Sequence, residues 1–284
     1  MRFSEDRIET LTCSDGTERE IHVWEPKKPR AIFLTIHGGL DHGGAYCFPA
    51  LYFKEYEMAT AALDQHGHDK KEKVYIPNFE VFLDDLERMI DWVKKQFPGI
   101  PVFILSHSMG ALISTHFGIR RWNQEPLIKG FIISSPYFVN AIKAPWIMYK
   151  LAGILSALTP KMAVPIEDLV VHVTHDEAIY NRHRVDERDH IKAHKASARF
   201  ANELLKAQRW IPGNIAEWKH PLLAIIAGDD KVADSISSRQ LLGQIKPGLV
   251  TELYYPDNYH ENFNECNRDE VFGEIVKWVR PHIS

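Results

Sequence analysis

Six short runs that are apolar at successive positions restrict the fold of this chain more than any other feature. They lie at residues 31–39, 58–65, 101–108, 130–136, 221–230 and 249–256, and the second run is the weakest. Such runs are typical of strands that are covered on both faces. Segments with helical periodicity separate several of them. Strands that alternate with helices predict an α/β fold with a mostly parallel, doubly covered sheet.

Helical periodicity is clearest at residues 79–97, where apolar side chains recur at spacings of three and four and stop before a Pro-Gly pair. Asn78 precedes this segment and is predicted as its N-cap. A second helix is predicted to start near Met109, and a last one to bury its apolar face at 272–279. Residues 7–26 predict an antiparallel hairpin that turns at an Asp-Gly pair.

The interval between the fourth and fifth apolar runs is anomalous, because it contains no convincing core strand. It is far longer than a single helical crossover between parallel strands requires. We therefore expect a helical cap inserted at residues 137–218. The core domain would then be formed by residues 1–136 and 219–284.

Composition excludes several classes of protein. A chain of 284 residues with 45% hydrophobic composition can bury a large core. The net charge is −4 and no cluster of lysine and arginine stands out, so we expect no nucleic-acid partner. Cys13, Cys47 and Cys266 are scattered and read as free thiols of a reducing compartment. The N-terminus is charged and lacks the apolar core of a signal peptide, which predicts a cytoplasmic protein.

The stretch "SHSMG" interrupts the third apolar run with polar residues. Its central residue, Ser108, follows a predicted strand and precedes a predicted helix, with the small residues Ser106 and Gly110 on either side. This pattern indicates a tight strand-to-helix turn that holds a nucleophilic hydroxyl above the carboxyl edge of the sheet. The backbone N–H of Met109, at the start of the helix, could then stabilise a developing oxyanion.

A serine nucleophile needs a base and a group that orients the base, and later strand ends provide both. His260 is the predicted general base, and Asp230 is the predicted orienting carboxylate. Asp230 is preferred because Val232 could pack inward and anchor its turn, whereas Asp229 and Asp234 remain alternatives. The order nucleophile, acid, base is the one expected when successive strand ends deliver the three groups.

The loop after the first apolar run is predicted to supply a second oxyanion donor, the N–H of Gly39. His37 is expected to support this loop by hydrogen bonding, and His107 to pack beneath the turn of the nucleophile. The segment His66 to Asp69 is similar to a metal-binding H-x-H-x-D pattern, although Asp69 follows His68 directly, and its continuation favours a structural loop. We predict no metal and no cofactor.

Together these residues resemble the serine α/β-hydrolases, and among them the monoacylglycerol lipase and lysophospholipase group. The resemblance covers nearly the whole chain. It rests on the motifs at residues 37–46, 63–69, 97–111, 174–186, 227–234 and 259–265.

Three departures from the family pattern stand out. The turn of the nucleophile usually reads G-x-S-x-G, and here the first position is Ser106. A second loop, usually G-H-G-x-S, continues after the Gly-His pair into residues 69–71 without that pattern. Monoacylglycerol lipases often carry an arginine just before the tyrosine of the first loop, where this chain has Ala45 before Tyr46. The last departure removes a positive charge near the glycerol end of the substrate.

The resemblance implies a serine esterase that cleaves lipid-like esters, most of all monoacylglycerols, through an acyl-enzyme. It implies that Tyr46 contacts substrate and that the cap shapes an acyl tunnel with Trp146, Leu151 and Leu155. The apolar stretch at 141–158 is short for a membrane span and predicts a buried helix or a cap surface that touches membrane transiently. The alternatives are a lysophospholipase, a short- or medium-chain carboxylesterase, and a non-catalytic ligand-binding protein of the same fold.

Overall fold

The computed structural model describes residues 3–68, 73–122, 125–142, 146–164 and 170–283, with the main chain alone at 146–150 and 170. In chain order the strands are β1 (Arg7–Thr12), β2 (Glu18–Trp24), β3 (Ala31–Ile36), β4 (Met58–Leu63), β5 (Lys73–Val74), β6 (Val102–His107), β7 (Ile128–Ser134), β8 (Ala163–Val164), β9 (Lys195–Ser197), β10 (Leu222–Ala227) and β11 (Val250–Tyr255). The α-helices are α1 (Cys47–Glu55), α2 (Glu80–Gln96), α3 (Met109–Arg120), α4 (Trp146–Leu158), α5 (Glu177–Arg188), α6 (Ala198–Trp210), α7 (Ser235–Leu242) and α8 (Arg268–Val279).

The central sheet has eight strands in the order β1-β2-β4-β3-β6-β7-β10-β11. β1 and β2 form the predicted antiparallel hairpin, β2 pairs antiparallel with β4, and the remaining pairs are parallel. Every residue of β3, β4, β6 and β10 is buried, as their uninterrupted apolar character predicts. The predicted fold class, an α/β-hydrolase sheet with an N-terminal hairpin, is therefore confirmed.

The last strand differs from the expectation of burial on both faces. β11 has no fully buried residue, and its side chains are exposed or half-buried. The reason is its place at the edge of the sheet, next to β10 alone. Polar residues within its sequence, Thr251 and Glu252, suit such an edge position.

The start of α2 also differs from the sequence prediction. The helix begins at Glu80, and Phe79 occupies the N-cap position without a capping side chain. Asn78 is exposed and is not the N-cap. Instead, the N–H of Phe79 donates to the carboxylate of Glu203, 3.3 Å away on α6. A tertiary contact therefore replaces the local cap that the sequence suggested.

The segment between β7 and β10 contains α4, α5, α6 and two very short strands. Strand β9 pairs with β8 and with β5, which precedes α2, in a second sheet of order β5-β9-β8. On α6, Phe200, Leu204 and Ala207 belong to the same buried cluster as the core strands. This part of the segment is thus packed firmly onto the sheet domain. Among the described helices, none has the length and apolar character needed to cross a membrane.

Candidate active site

Ser108 sits at a strained turn between β6 and α3. Its φ of 54° and ψ of −116° lie outside the regions that non-glycine residues favour. The turn requires Gly110, because a Cβ at that position would approach the carbonyl oxygen of Ile36 to 2.0 Å. Strain at a single serine between two elements is a feature of nucleophile turns, where it presents the hydroxyl above the sheet.

Ser106, which departs from the usual glycine, is accommodated below this turn. Its side chain is fully buried, and its hydroxyl lies 2.8 Å from the hydroxyl of Ser114 on α3. It also lies within 3.3 Å of the carbonyl oxygen of Ile132 on the neighbouring strand. Because the extra hydroxyl has hydrogen-bond partners, it does not leave an unsatisfied polar group in the core.

Three side chains from three loops form one hydrogen-bonded chain. The Nε2 atom of His260 lies 2.8 Å from the Oγ atom of Ser108, and its Nδ1 atom lies 2.7 Å from Oδ2 of Asp230. Ser108 and His260 are 8% and 4% exposed, so their hydrogen bond is largely shielded from water. In this arrangement Nδ1–H donates to the carboxylate and Nε2 can accept the proton of the serine hydroxyl.

The second oxygen of Asp230 explains why this carboxylate faces the histidine. Oδ1 accepts the N–H groups of Val232 at 2.8 Å and Ala233 at 2.9 Å. Burial opposes ionisation of Asp230, but His260 and these N–H donors outweigh it and lower the pKa of the carboxyl. The expected inward packing of Val232 is not found, since Val232 is half-buried and Ala233 is the buried residue.

The two alternative carboxylates are engaged elsewhere. Asp229 pairs with Lys231 at the surface. Asp234 is the N-cap of α7, and its side chain accepts the N–H of Ser237 at 2.9 Å. Neither carboxylate is placed against the ring of His260. The geometry therefore favours Asp230 among the three candidate aspartates.

The glycine pair after β3 lies against the turn of the nucleophile. A Cβ built on Gly38 would stand 3.3 Å from Cβ of Ser108, and one on Gly39 would stand 3.9 Å from Cβ of Met109. The backbone of this loop therefore packs against Ser108 and the N-terminus of α3. That is where a tetrahedral oxyanion would form.

His37 holds this loop from behind in a defined tautomer. Its Nδ1–H donates to the carbonyl of Gly38 at 2.7 Å, and its Nε2 accepts the N–H of Gln65 at 2.9 Å. Complete burial lowers the pKa of His37 and favours the neutral ring that this pattern requires. The expectation that His37 supports the loop by hydrogen bonding agrees with these contacts.

The second histidine of the pattern similar to H-x-H-x-D, His68, is a packing residue in the structure, whereas Nδ1 of His66 lies 3.2 Å from the guanidinium of Arg19. Nδ1 of His68 donates to the carbonyl of His66 at 3.0 Å, and its ring packs edge-on against Phe200 at 5.7 Å between centroids. Burial lowers the pKa of His68 to about 3. Asp69, the last residue of the pattern, lies outside the described residues.

A different group of side chains has the spacing of possible metal ligands. Atoms of Glu20, His22 and Asp64 lie within 4.8 Å of one another. However, Nδ1 of His22 lies 2.7 Å from the carboxylate of Glu5, and its Nε2 lies 3.5 Å from that of Asp64. An imidazolium between two carboxylates accounts for this geometry without a metal, and Asp64 also accepts the N–H of Gly43.

A small pocket opens next to the loop that carries His260. Its wall contains the predicted substrate contact Tyr46, whose hydroxyl donates to the carbonyl of Ile36 at 2.8 Å. His107 also lines it, and its ring stands beside that of His260 with 4.7 Å between ring centroids. The complete lining is Gly38, Asp41, Ala45, Tyr46, Pro49, His107, Glu261, Phe263 and Asn264.

Two carboxylates in this wall escaped the sequence analysis. Burial opposes ionisation of Asp41, but His42 and Lys192 outweigh it and lower the pKa of the carboxyl. Glu261 is held charged in the same way by His183, whose Nε2 lies 2.9 Å from Oε2. In the sequence, Asp41 lies in the loop after β3 and Glu261 directly follows His260. These positions were the signals that could have identified both residues.

The residues of the cap that were expected to contact the acyl chain are on α4. Leu151 is 43% exposed, and Leu155 is half-buried on the same helix. The side chain of Trp146 lies outside the described residues. Within the described part of α4, the exposed large apolar side chains are Leu151, Ile154 and Leu158.

The sheet, the strained serine turn and the hydrogen-bonded Ser, His and Asp side chains define a serine hydrolase of the α/β-hydrolase class. A sequence profile of the family described as serine aminopeptidase, S33, matches residues 27–267. The chain belongs to this family of α/β-hydrolases.

Among curated proteins, the monoacylglycerol lipase of Mycolicibacterium smegmatis is 26% identical over 99% of this chain and 99% of its own length. A phospholipase of Bacillus subtilis is 28% identical over 88% of this chain and 95% of its own length. An abhydrolase domain-containing protein of Dictyostelium discoideum is 26% identical over 97% of this chain, which spans 29% of that longer protein.

Solved structures of similar fold include two lipases. The crystal structure of Paleococcus ferrophilus monoacylglycerol lipase superimposes with a TM-score of 0.80 at 21% identity, covering 94% of this chain and 100% of that one. A soluble variant of Saccharomyces cerevisiae monoglyceride lipase, in complex with a substrate analogue, has a TM-score of 0.82 at 19% identity, covering 99% and 96%. At these identities the likeness concerns the fold.

Proposed function

We propose that this chain hydrolyses lipid-like carboxylic esters, monoacylglycerols in the first place, through an acyl-enzyme intermediate. The observation that carries the proposal is the hydrogen-bonded chain from Ser108 through His260 to Asp230, with distances of 2.8 and 2.7 Å. Its placement beside a glycine loop and a helix N-terminus suits acyl transfer. The monoacylglycerol lipase and phospholipase among its relatives support an ester of a lipid as the substrate.

In the proposed mechanism Ser108 attacks the ester carbonyl while Nε2 of His260 takes its proton. Asp230 holds the ring and stabilises the imidazolium that forms, and the N–H groups of Gly39 and Met109 bind the oxyanion. The imidazolium then protonates the leaving alcohol, which leaves Ser108 acylated. Water, deprotonated by His260, attacks the acyl group and releases the fatty acid.

The pocket beside His260 favours a neutral alcohol over an anionic one. Because His260 must protonate the leaving oxygen, the leaving alcohol lies on its side of the site. There the carboxylates of Asp41 and Glu261 line the wall. Carboxylates accept hydrogen bonds from hydroxyl groups and repel a phosphate. This charge pattern supports monoacylglycerol rather than lysophospholipid as the preferred substrate.

A substrate panel tests this assignment. We expect kcat/KM for a monoacylglycerol to exceed that for an anionic lysophosphatidylglycerol of the same acyl chain by about tenfold or more, because the phosphate would face two carboxylates. Asp41→Asn should lower the ratio of the two kcat/KM values, whereas Asp229→Asn, at the surface, should leave this ratio unchanged. Faster cleavage of the lysophospholipid would favour the phospholipase alternative. Equal rates for all alcohols would favour a general carboxylesterase.

We also propose that residues 137–218 act as a cap that closes over the site. Several hydrogen bonds join this segment to the loop of His260, among them that of His183 with Glu261. The N–H of Glu261 donates to the carbonyl of Val173 at 2.8 Å, and the hydroxyl of Thr174 donates to the carbonyl of Asn264 at 2.8 Å. Trp146 and Leu155 of α4 are the proposed acyl-chain contacts within this cap, whereas Leu151, 43% exposed, does not fit the acyl-tunnel role expected for it.

The same cap is proposed to touch lipid surfaces from a cytoplasmic location, which the free thiols of the three cysteines support. Ile154 and Leu158 are 53% and 76% exposed. Contact with a bilayer would remove these apolar side chains from water, which is favourable.

Replacing both Ile154 and Leu158 by serine should lower flotation with phosphatidylcholine vesicles about tenfold while hydrolysis of soluble p-nitrophenyl butyrate is retained. Ile236→Ser, at the 73% exposed Ile236 on α7, is the matched control. Unchanged flotation of the double variant would contradict the proposal.

A further inference from the structure

The carboxyl end of β7 contacts the main chains of Ser108 and His260. The N–H of Ser108 donates to the carbonyl of Ser134 at 2.9 Å. The hydroxyl of the next residue, Ser135, donates to the carbonyl of His260 at 2.6 Å. Two consecutive residues of one strand end are therefore bonded to the main chains of the proposed nucleophile and the proposed base.

Ser135 is held rigidly in an unfavourable backbone conformation. Its φ is 43°, its side chain is 2% exposed, and its N–H donates to the carbonyl of Ile225 on β10 at 2.9 Å. A glycine would adopt a positive φ without the steric cost that a serine pays. The feature that serine contributes and glycine lacks is the hydroxyl, which here has a partner in the loop of His260.

Asn262 gives that hydroxyl a direction. The Nδ2 atom of this fully buried side chain donates to the hydroxyl oxygens of Ser135 at 3.1 Å and Ser134 at 3.2 Å. Its Oδ1 accepts a hydrogen bond from the amide of Asn258 at 2.9 Å, which fixes the orientation of the amide. Because Oγ of Ser135 accepts from Asn262, its own proton is left for the carbonyl of His260.

We propose that Ser135 is a positioning residue for the hydrolysis, with Asn262 orienting its hydroxyl. The bond from Ser135 fixes the main chain of His260 and so keeps Nε2 at its 2.8 Å distance from Oγ of Ser108. A general base acts only within hydrogen-bond reach of the proton it removes, and small displacements of reacting groups are costly. This inference rests on the proposed role of His260 as the base.

Two variants of Ser135 test the inference. Ser135→Ala and Ser135→Gly both remove the hydroxyl, and the second also relieves the positive φ. We expect each to lower kcat for a soluble ester about tenfold or more, with KM changed less than about twofold. Ser238→Ala is the matched control, because Ser238 is equally buried and donates to the carbonyl of Pro136 at 3.3 Å, away from the histidine. It should keep the wild-type kcat.

A double-variant experiment separates positioning from general damage. In a His260→Ala background, adding Ser135→Ala should not lower the residual rate further, because the base that Ser135 positions is gone. A wild-type kcat in Ser135→Gly, or an equal fall with and without His260, would overturn the inference while leaving the proposed function intact. If His260→Ala itself kept normal activity, the proposed function would fail instead.

Discussion

Ser108→Ala and His260→Ala should each lower kcat by about 10⁴-fold or more on a p-nitrophenyl acyl ester. The first removes the atom that attacks the carbonyl, and the second removes the base 2.8 Å from it. Because the two side chains act as one unit, the double variant should be no slower than the poorer single variant. Steady-state kinetics on the purified variants measures all three values.

Folding should be nearly unaffected by Ser108→Ala, which separates lost chemistry from lost structure. The serine side chain is small and mainly bonded to His260, so we expect the free energy of unfolding to change by less than about 1 kcal/mol. A phosphonate inhibitor should label the wild type at Ser108 and leave the variant unlabelled. A Ser108→Ala protein with kcat near that of the wild type would support a different nucleophile. If the wild type itself binds ligand without turnover, the non-catalytic alternative holds.

The interior of the sheet could be predicted because local sequence reports it directly. β3, β6 and β10 are apolar at nearly every position, and a strand buried on both faces needs that composition. Strands β5, β8 and β9 have two or three residues each and carry no periodicity. They exist because segments far apart in sequence meet in space, which a reading of one segment at a time does not reveal.

In the site, too, some features could be predicted from local sequence and others depend on contacts between distant segments. Ser108 could be predicted because the small residues at its turn lie two positions away on each side in sequence. The sequence favoured Asp230 over its neighbour Asp229 for a packing reason that the structure does not show, and the actual cause, the N–H donors around its second oxygen, exists only in the folded loop. The contact of Ser135 with the loop of His260 joins positions 125 residues apart and left no local signal.

Gly110→Ala should destabilise the protein by about 1–3 kcal/mol and lower kcat about 100-fold or more. The new methyl group would meet the carbonyl oxygen of Ile36 at 2.0 Å and that of His37 at 2.9 Å, both of them backbone atoms. Relief requires α3 and the end of β3 to move apart. That movement would separate Gly39 from Met109 and spread the proposed oxyanion donors. Denaturant unfolding and kinetics on a soluble ester measure the two effects.

The sign of the stability change distinguishes packing from helix propensity. Gly110 is the second residue of α3, and propensity alone would make alanine there more stable by about 1 kcal/mol. Gly273 within α8 is the matched control, because a Cβ there would meet only the hydroxyl of Tyr52, at 3.5 Å. Gly273→Ala should therefore be neutral or stabilising, with unchanged kcat. Stabilisation by both substitutions would show that the close approach of β3 to this turn does not constrain the site.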